Sequence, residues 1–175
     1  MLLNTYQKAA IKTIRYPNAG SNFNYPLLGL IGELGETLRA HMDRESSDKL
    51  KDEAGDILWY VALMAMEMGI KMADVLHPID IYVDTMEAAT GACYAIFEPS
   101  KSSTADLLAA VVNGTELANI YKKVQRDDEG IITPARMEKL KMNLAMCLAH
   151  TIRYINAMSL ILEDVANYNI EKLSK

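Results

Sequence analysis

Two pairs of carboxylates stand three residues apart on consecutive helical stretches, Glu33-x-x-Glu36 and Glu53-x-x-Asp56. Residues three apart on a helix share a face, so each pair offers its oxygens from one patch of surface. Both pairs adjoin apolar stripes, and Asp56 runs directly into Ile57-Leu58-Trp59-Tyr60-Val61. A carboxylate flush with such a run is costly to bury ionised unless it is paired or metal-bound. Four carboxylates meeting across two packed helices repel one another unless positive charge lies between them. A hard divalent cation supplies that charge, and an all-oxygen donor set points to Mg²⁺, with Mn²⁺ as a substitute. Structural zinc calls for His or Cys, and a di-iron bundle calls for Glu-x-x-His. None of His41, His77 and His150 follows a glutamate at that spacing. A site of this kind predicts phosphate chemistry, because a metal neutralises phosphate charge and activates a bound water.

The elements that must position these groups are helical. Leu3 to Tyr16 reads as a first helix stopped by Pro17, and Leu27, Leu30, Ile31, Leu34 and Leu38 mark a second from Pro26 to about Met42. Ser46 or Ser47 caps a third, whose buried face runs from Leu50 through Ala54, Ile57, Leu58 and Val61 to Met68 and which ends at Gly69. A fourth helix is expected from Met72 to about Ala89 and a loop over Gly91 to Ser103. Helices at Ala105–Arg126, Met137–Leu162 and Glu163–Leu173 complete the chain. No stretch shows sustained period-two alternation, so the fold class is all-α, a helical bundle.

Composition bounds the remaining classes. Half of the 175 residues are hydrophobic and 23% are charged, as in a packed globular chain. The net charge of −5 argues against a partner with a nucleic acid backbone, which would select a basic face. It leaves room for a small phosphorylated ligand. The longest apolar run, Ile57 to Met66, is too short to cross a bilayer, so no membrane partner is expected. Two cysteines, Cys93 and Cys147, make no disulfide framework, and the N-terminus shows no secretory pattern; a cytoplasmic location is expected.

The chain also reads as duplicated. Leu50-Lys51-x-x-Ala54 through Asp74-Val75 aligns without a gap on Leu140-Lys141-x-x-Leu144 through Asp164-Val165, and Glu33-Leu34-Gly35-Glu36 aligns on Glu116-Leu117-Ala118-Asn119. Under this alignment Glu36, Glu53 and Asp56 become Asn119, Asn143 and Met146. The first half, residues 1–81, carries the metal site, and the second, 82–175, is a degenerate copy.

Gly32-Glu33-Leu34-Gly35-Glu36 followed by Leu50-x-x-Glu53-Ala54-Gly55-Asp56-Ile57-Leu58-Trp59-Tyr60 resembles the signature of MazG-like nucleotide pyrophosphohydrolases, members of the all-α NTP pyrophosphatase superfamily. Tyr6-Gln7-x-x-Ala10-x-x-Thr13-x-x-Tyr16-Pro17 is similar to the segment that precedes it. In the second half, Lys122-Lys123-x-x-Arg126-Asp127-Asp128-x-Gly130 resembles the family's basic segment, and Val165-Ala166-Asn167-Tyr168-Asn169-x-x-Lys172-Leu173 resembles its C-terminal Asn-x-x-Lys segment. Each half keeps what the other has lost. The resemblance therefore implies a composite site: tandem MazG-like halves packed as one intrachain pseudo-dimer, monomeric or assembled further into homo-oligomers.

It further implies Mg²⁺-dependent hydrolysis of (deoxy)nucleoside triphosphates between the α and β phosphates, giving a nucleoside monophosphate and pyrophosphate. Glu33, Glu36, Glu53 and Asp56 would be the metal ligands, with Glu36 and Glu33 in the catalytic role and Glu36 taking the proton of the attacking water. Lys122, Lys123, Arg126, Asn169, Lys172 and Tyr60 would contact substrate. Arg39 and Lys49 pair either with the carboxylates or with phosphate. Base and sugar selection is expected around Tyr16, Asn18, Phe23, Asn24 or Tyr60. The alternative is a catalytically reduced nucleotide-binding or regulatory protein on the same scaffold, which the altered second copy would suit.

Overall fold

The computed structural model describes residues 1–97 and 102–175. Seven α-helices appear among them: α1 (Leu3–Lys12), α2 (Asn24–Met42), α3 (Ser47–Glu67), α4 (Met86–Ile96), α5 (Ser103–Asp127), α6 (Pro134–Ala157) and α7 (Leu162–Leu173). Two short 3₁₀ turns, Met72–Asp74 and His77–Ile79, lie between α3 and α4. No strand occurs among the described residues, only one isolated bridge between Leu2 and Thr85. The fold is all-α, as the periodicity predicts.

Helix starts follow local chemistry. Ser46, Thr85, Ser102 and Thr133 each accept a hydrogen bond from the backbone N–H three residues on, satisfying a donor that the helix itself cannot. The expected extension of α1 to Tyr16 does not form. Pro17 disfavours helical geometry at Tyr16, and the helix stops at Lys12. The following loop is pinned by Glu67, whose carboxylate accepts from Tyr16 Oη, Gly20 N and Asn22 N.

The helix expected over Met72 to Ala89 is the main correction. Only the two 3₁₀ turns form there, because Pro78 withdraws a backbone donor and Asp80 takes a left-handed conformation with φ 60°. Leu76 and Ile81 are buried around this break. Helix α4 then begins at Met86 and runs through Gly91, where a loop is expected, as far as Ile96; residues 98–101 of that expected loop lie outside the described residues.

Two antiparallel hairpins form the body. In the first, α2 lies along α3; in the second, α5 lies along α6. They meet through α2 on α5 and α3 on α6, sharing a core that includes Leu30, Leu34, Ile57, Val61, Leu144, Leu148 and Ile152. Helix α7 packs across α3 and α1, and α4 packs against α6. Among the described residues no single helix is long and apolar enough to cross a membrane. The buried Asp106–Arg153 ion pair, 2.8 Å, ties the start of α5 to the end of α6, and His150 also approaches Asp106.

Candidate metal and nucleotide site

The antiparallel course of α2 and α3 sets Glu33 opposite Glu53 and Asp56. One carboxylate oxygen from each of the three lies within 4.8 Å of the other two. Glu53 is buried, 4% exposed, and Glu33 and Asp56 are partly buried. Burial, reinforced by the carboxylates of Asp56, Glu36 and Glu53, pushes Glu33 up to about 7, with Lys172 acting against the shift. Asp56 is also raised, because burial outweighs the hydrogen bonds it accepts from Lys172. Among the described residues the ion-pair partners of these carboxylates and of neighbouring Asp52 are Lys49 and Lys172, so the carboxylates outnumber the cations that meet them. Three converging hard oxygens short of positive charge fit a divalent ion of the Mg²⁺ or Mn²⁺ type.

Glu36 sits one turn further along α2, exposed, and outside this group of three. Its charge still reaches Glu33 and Lys49. Lys49 forms an ion pair with Glu53 four residues on, while Arg39 is exposed.

The second half of the chain completes the cluster through α7. Lys172 Nζ donates to Asp52 Oδ1 at 2.6 Å and to both oxygens of Asp56 at 2.7 Å. Burial pulls the Lys172 ammonium down, but the bonds to Asp52 and Asp56 more than reverse this and hold it protonated. Asn169, fully buried, donates from Nδ2 to Asp56 Oδ1 at 2.8 Å and accepts at Oδ1 from Tyr6 Oη at 3.1 Å. This approach depends on Gly55: a Cβ there would stand 2.9 Å from the Asn169 Cβ.

An open cavity of about 380 Å³ lies over these groups. Glu33, Asp56 and Lys172 line its charged part; Tyr25, Trp59 and Tyr60 supply aromatic surface; Thr13 and Arg15 also border it. Tyr25 stacks on Tyr16 with centroids 4.3 Å apart, and Trp59 meets Tyr60 edge-on at 4.8 Å. Trp59 is buried and donates from Nε1 to Thr13 Oγ1 at 2.8 Å. Tyr60 lies across α2 at Gly29, where a Cβ would stand 2.0 Å from the ring. Charged oxygens, an ammonium and flat aromatic faces in one cleft suit a ligand with phosphates at one end and a base at the other.

The structure does not bring every expected contact to this cleft. Lys122, Lys123 and Arg126 do not line it. Helix α5 runs antiparallel to α2, so its C-terminal end, which carries Lys122, Lys123 and Arg126, lies at the start of α2. Leu34 touches Gly114, and the end of α5 meets the start of α2 where Phe23 packs on Tyr121. That point lies ten residues, about 15 Å of helix, from Glu33. Arg126 there pairs with Asp127 instead. Of the expected selectivity residues only Tyr60 borders the cavity; Tyr16 is committed to Glu67, Phe23 to Tyr121, and Asn18 to a left-handed turn. Asp52, Tyr25 and Arg15 are not among the expected residues, and Tyr6 stands only within the segment similar to the one that precedes the family signature. Only Asp52 carried a signal, its four-residue spacing to Asp56.

The MazG nucleotide pyrophosphohydrolase domain family matches residues 23–79, the span holding all four carboxylates. The chain is also similar to the Gene 37 protein of Mycobacterium phage L5, 32% identical over 90 residues, which cover 43% of this chain and 79% of the relative. No solved structure matches.

Proposed function

Because the chain belongs to the family of MazG nucleotide pyrophosphohydrolases, we propose that it hydrolyses (deoxy)nucleoside triphosphates between the α and β phosphates, releasing a nucleoside monophosphate and pyrophosphate. The convergence of Glu33, Glu53 and Asp56 within 4.8 Å, closed by Lys172 from the far end of the chain, carries this reading. Bound Mg²⁺, or Mn²⁺ in its place, supplies Lewis-acid charge neutralisation at phosphate and acidifies a water. Glu33, Glu53 and Asp56 would hold it. Glu36, exposed one turn along α2, takes the proton of the attacking water. Lys172 orients Asp56 and Asp52 and meets phosphate oxygens entering the cavity, and Asn169 holds Asp56 in place from behind. Tyr60 and Tyr25 provide stacking surface for the base.

In this reading residues 1–81 are the half that carries the metal site and residues 82–175 its degenerate copy. Their exchanged packing supports it: α1 lies on α3 as α4 lies on α6, while α7 of the second half covers α3 and the His77–Ile79 turn of the first covers α6. The composite site would let one chain do what a symmetric pair does elsewhere, in a cytoplasmic enzyme acting on a small-molecule substrate.

The test is pyrophosphate release from a panel of NTPs and dNTPs, with Mg²⁺ and with EDTA. Glu53→Gln abolishes turnover while the circular dichroism spectrum is retained; Lys172→Ala lowers turnover with metal uptake preserved. Full activity of Glu53→Gln overturns the metal assignment, and unchanged turnover of Lys172→Ala overturns the composite site. Mg²⁺-dependent nucleotide binding without any turnover would instead identify a regulatory binder.

A further inference from the structure

A second groove, about 520 Å³, opens beside the candidate site and shares Thr13, Arg15 and Leu173 with it. Its lining contains Lys8, Lys12 and Arg15 and no carboxylate. The first two stand four residues apart on α1 and share a face of it, and Arg15 lies three residues past the end of that helix; all three line the groove. Each is exposed, and among the described residues none has a carboxylate within ion-pair distance. In a chain of net charge −5, other cations close to the candidate site are paired with carboxylates: Lys49 with Glu53, Lys172 with Asp52 and Asp56, Lys175 with Glu171.

The backbone beneath Arg15 is held on both sides. Thr13 Oγ1 donates to Ala10 O and accepts from Trp59, and Tyr16, buried, donates to Glu67. Arg15 stands on this held segment and lines both the acidic cavity and the basic groove. Guanidinium and ammonium groups without carboxylate partners are strong phosphate contacts, the first as a planar bidentate fork and the second as a point charge.

Resting on the pyrophosphohydrolase reading above, we propose that Arg15, Lys12 and Lys8 bind the distal phosphates of the nucleotide, the portion that leaves as pyrophosphate, and that the groove has room for a chain longer than three phosphates. The base lies on the aromatic surface, the scissile linkage at Glu33, Glu53 and Asp56, and the tail along α1. The substrate class so defined is nucleotides with an extended phosphate tail, nucleoside tetraphosphates included, in preference to diphosphates.

Steady-state kinetics on a nucleoside di-, tri- and tetraphosphate of one base reads the proposal. KM for wild-type protein falls as the chain lengthens. Arg15→Ala raises KM for the tri- and tetraphosphate about tenfold, Lys12→Ala and Lys8→Ala act most on the tetraphosphate, and kcat changes little. Lys139→Ala, an exposed charge on α6, serves as the control for net charge and leaves every KM unchanged. Calorimetry with inorganic tripolyphosphate separates this inference from the hydrolase reading, since it needs no turnover. Weaker binding in Arg15→Ala supports the phosphate site even if no nucleotide is cleaved. Tripolyphosphate affinity equal in wild type and the Lys8/Lys12/Arg15 triple alanine variant overturns it, as does a KM independent of phosphate number.

Discussion

Gly55→Ala tests whether the placement of α7 on α3 governs the site. The added methyl would stand 2.9 Å from the Asn169 Cβ, which is anchored to the α7 backbone and cannot swing aside. Carbon atoms settle about 3.5–4.0 Å apart, so α7 must retreat by about 1 Å. Alanine also gains about 1 kcal/mol of helix propensity over glycine in the interior of α3. Against this stands an overpacking cost of about 1–3 kcal/mol. The net loss is about 0–2 kcal/mol, which lowers Tm by no more than about 8 °C in a chain of this size. The protein stays folded. Asn169 and Lys172, one turn apart on α7, move off Asp56 together, and a misplacement of about 1 Å costs on the order of 10²-fold in rate. Calorimetric Tm and pyrophosphate release measured on the same preparation separate the two effects. Activity within about threefold of wild type, despite a lowered Tm, would refute the argument that α7 geometry limits catalysis.

Gly91→Ala provides the counterpart: at this exposed position of α4 a Cβ meets nothing within 4 Å, so Tm rises by about 2–4 °C and turnover stays the same. Asp106→Ala removes the carboxylate from Arg153, itself 2% exposed, and costs about 3–5 kcal/mol, read as a fall in the urea midpoint. Burial pushes Cys93 and Cys147 up to about 12, so both remain thiols at pH 8, and a thiol reagent titrates them only after unfolding in guanidinium. Mg²⁺ raises the Tm of wild type but not of Glu53→Gln, since an ion bound only by the folded cluster stabilises by mass action.

Much of this architecture is local information. Helix class, the caps at Ser46 and the bounds of α2 and α3 follow from residue period and side-chain hydrogen bonding, which act within a few positions. The Glu33/Glu53/Asp56 cluster was legible for the same reason. Three-residue spacing fixes a helix face, and only one antiparallel hairpin was needed to bring those faces together. The helix misread over Met72–Ala89 failed where periodicity met Pro78 and the left-handed Asp80, a backbone conflict that apolar spacing does not register.

Lys122, Lys123 and Arg126 looked equivalent to Lys172 as free cations in the sequence. Only packing separated them: the end of α5 meets the start of α2, where Phe23 packs on Tyr121, while α7 crosses α3 at Gly55. Asp52, Tyr6 and Arg15 gained their places in the same way, through helix crossings between residues distant in the chain. The sequence by itself determined the helices, the carboxylate faces and the apolar stripes, because each is set by neighbours within a turn. Which cations and aromatics face those carboxylates was decided by the tertiary structure alone, because side chains far apart in the chain meet only where close-packed helices allow them to.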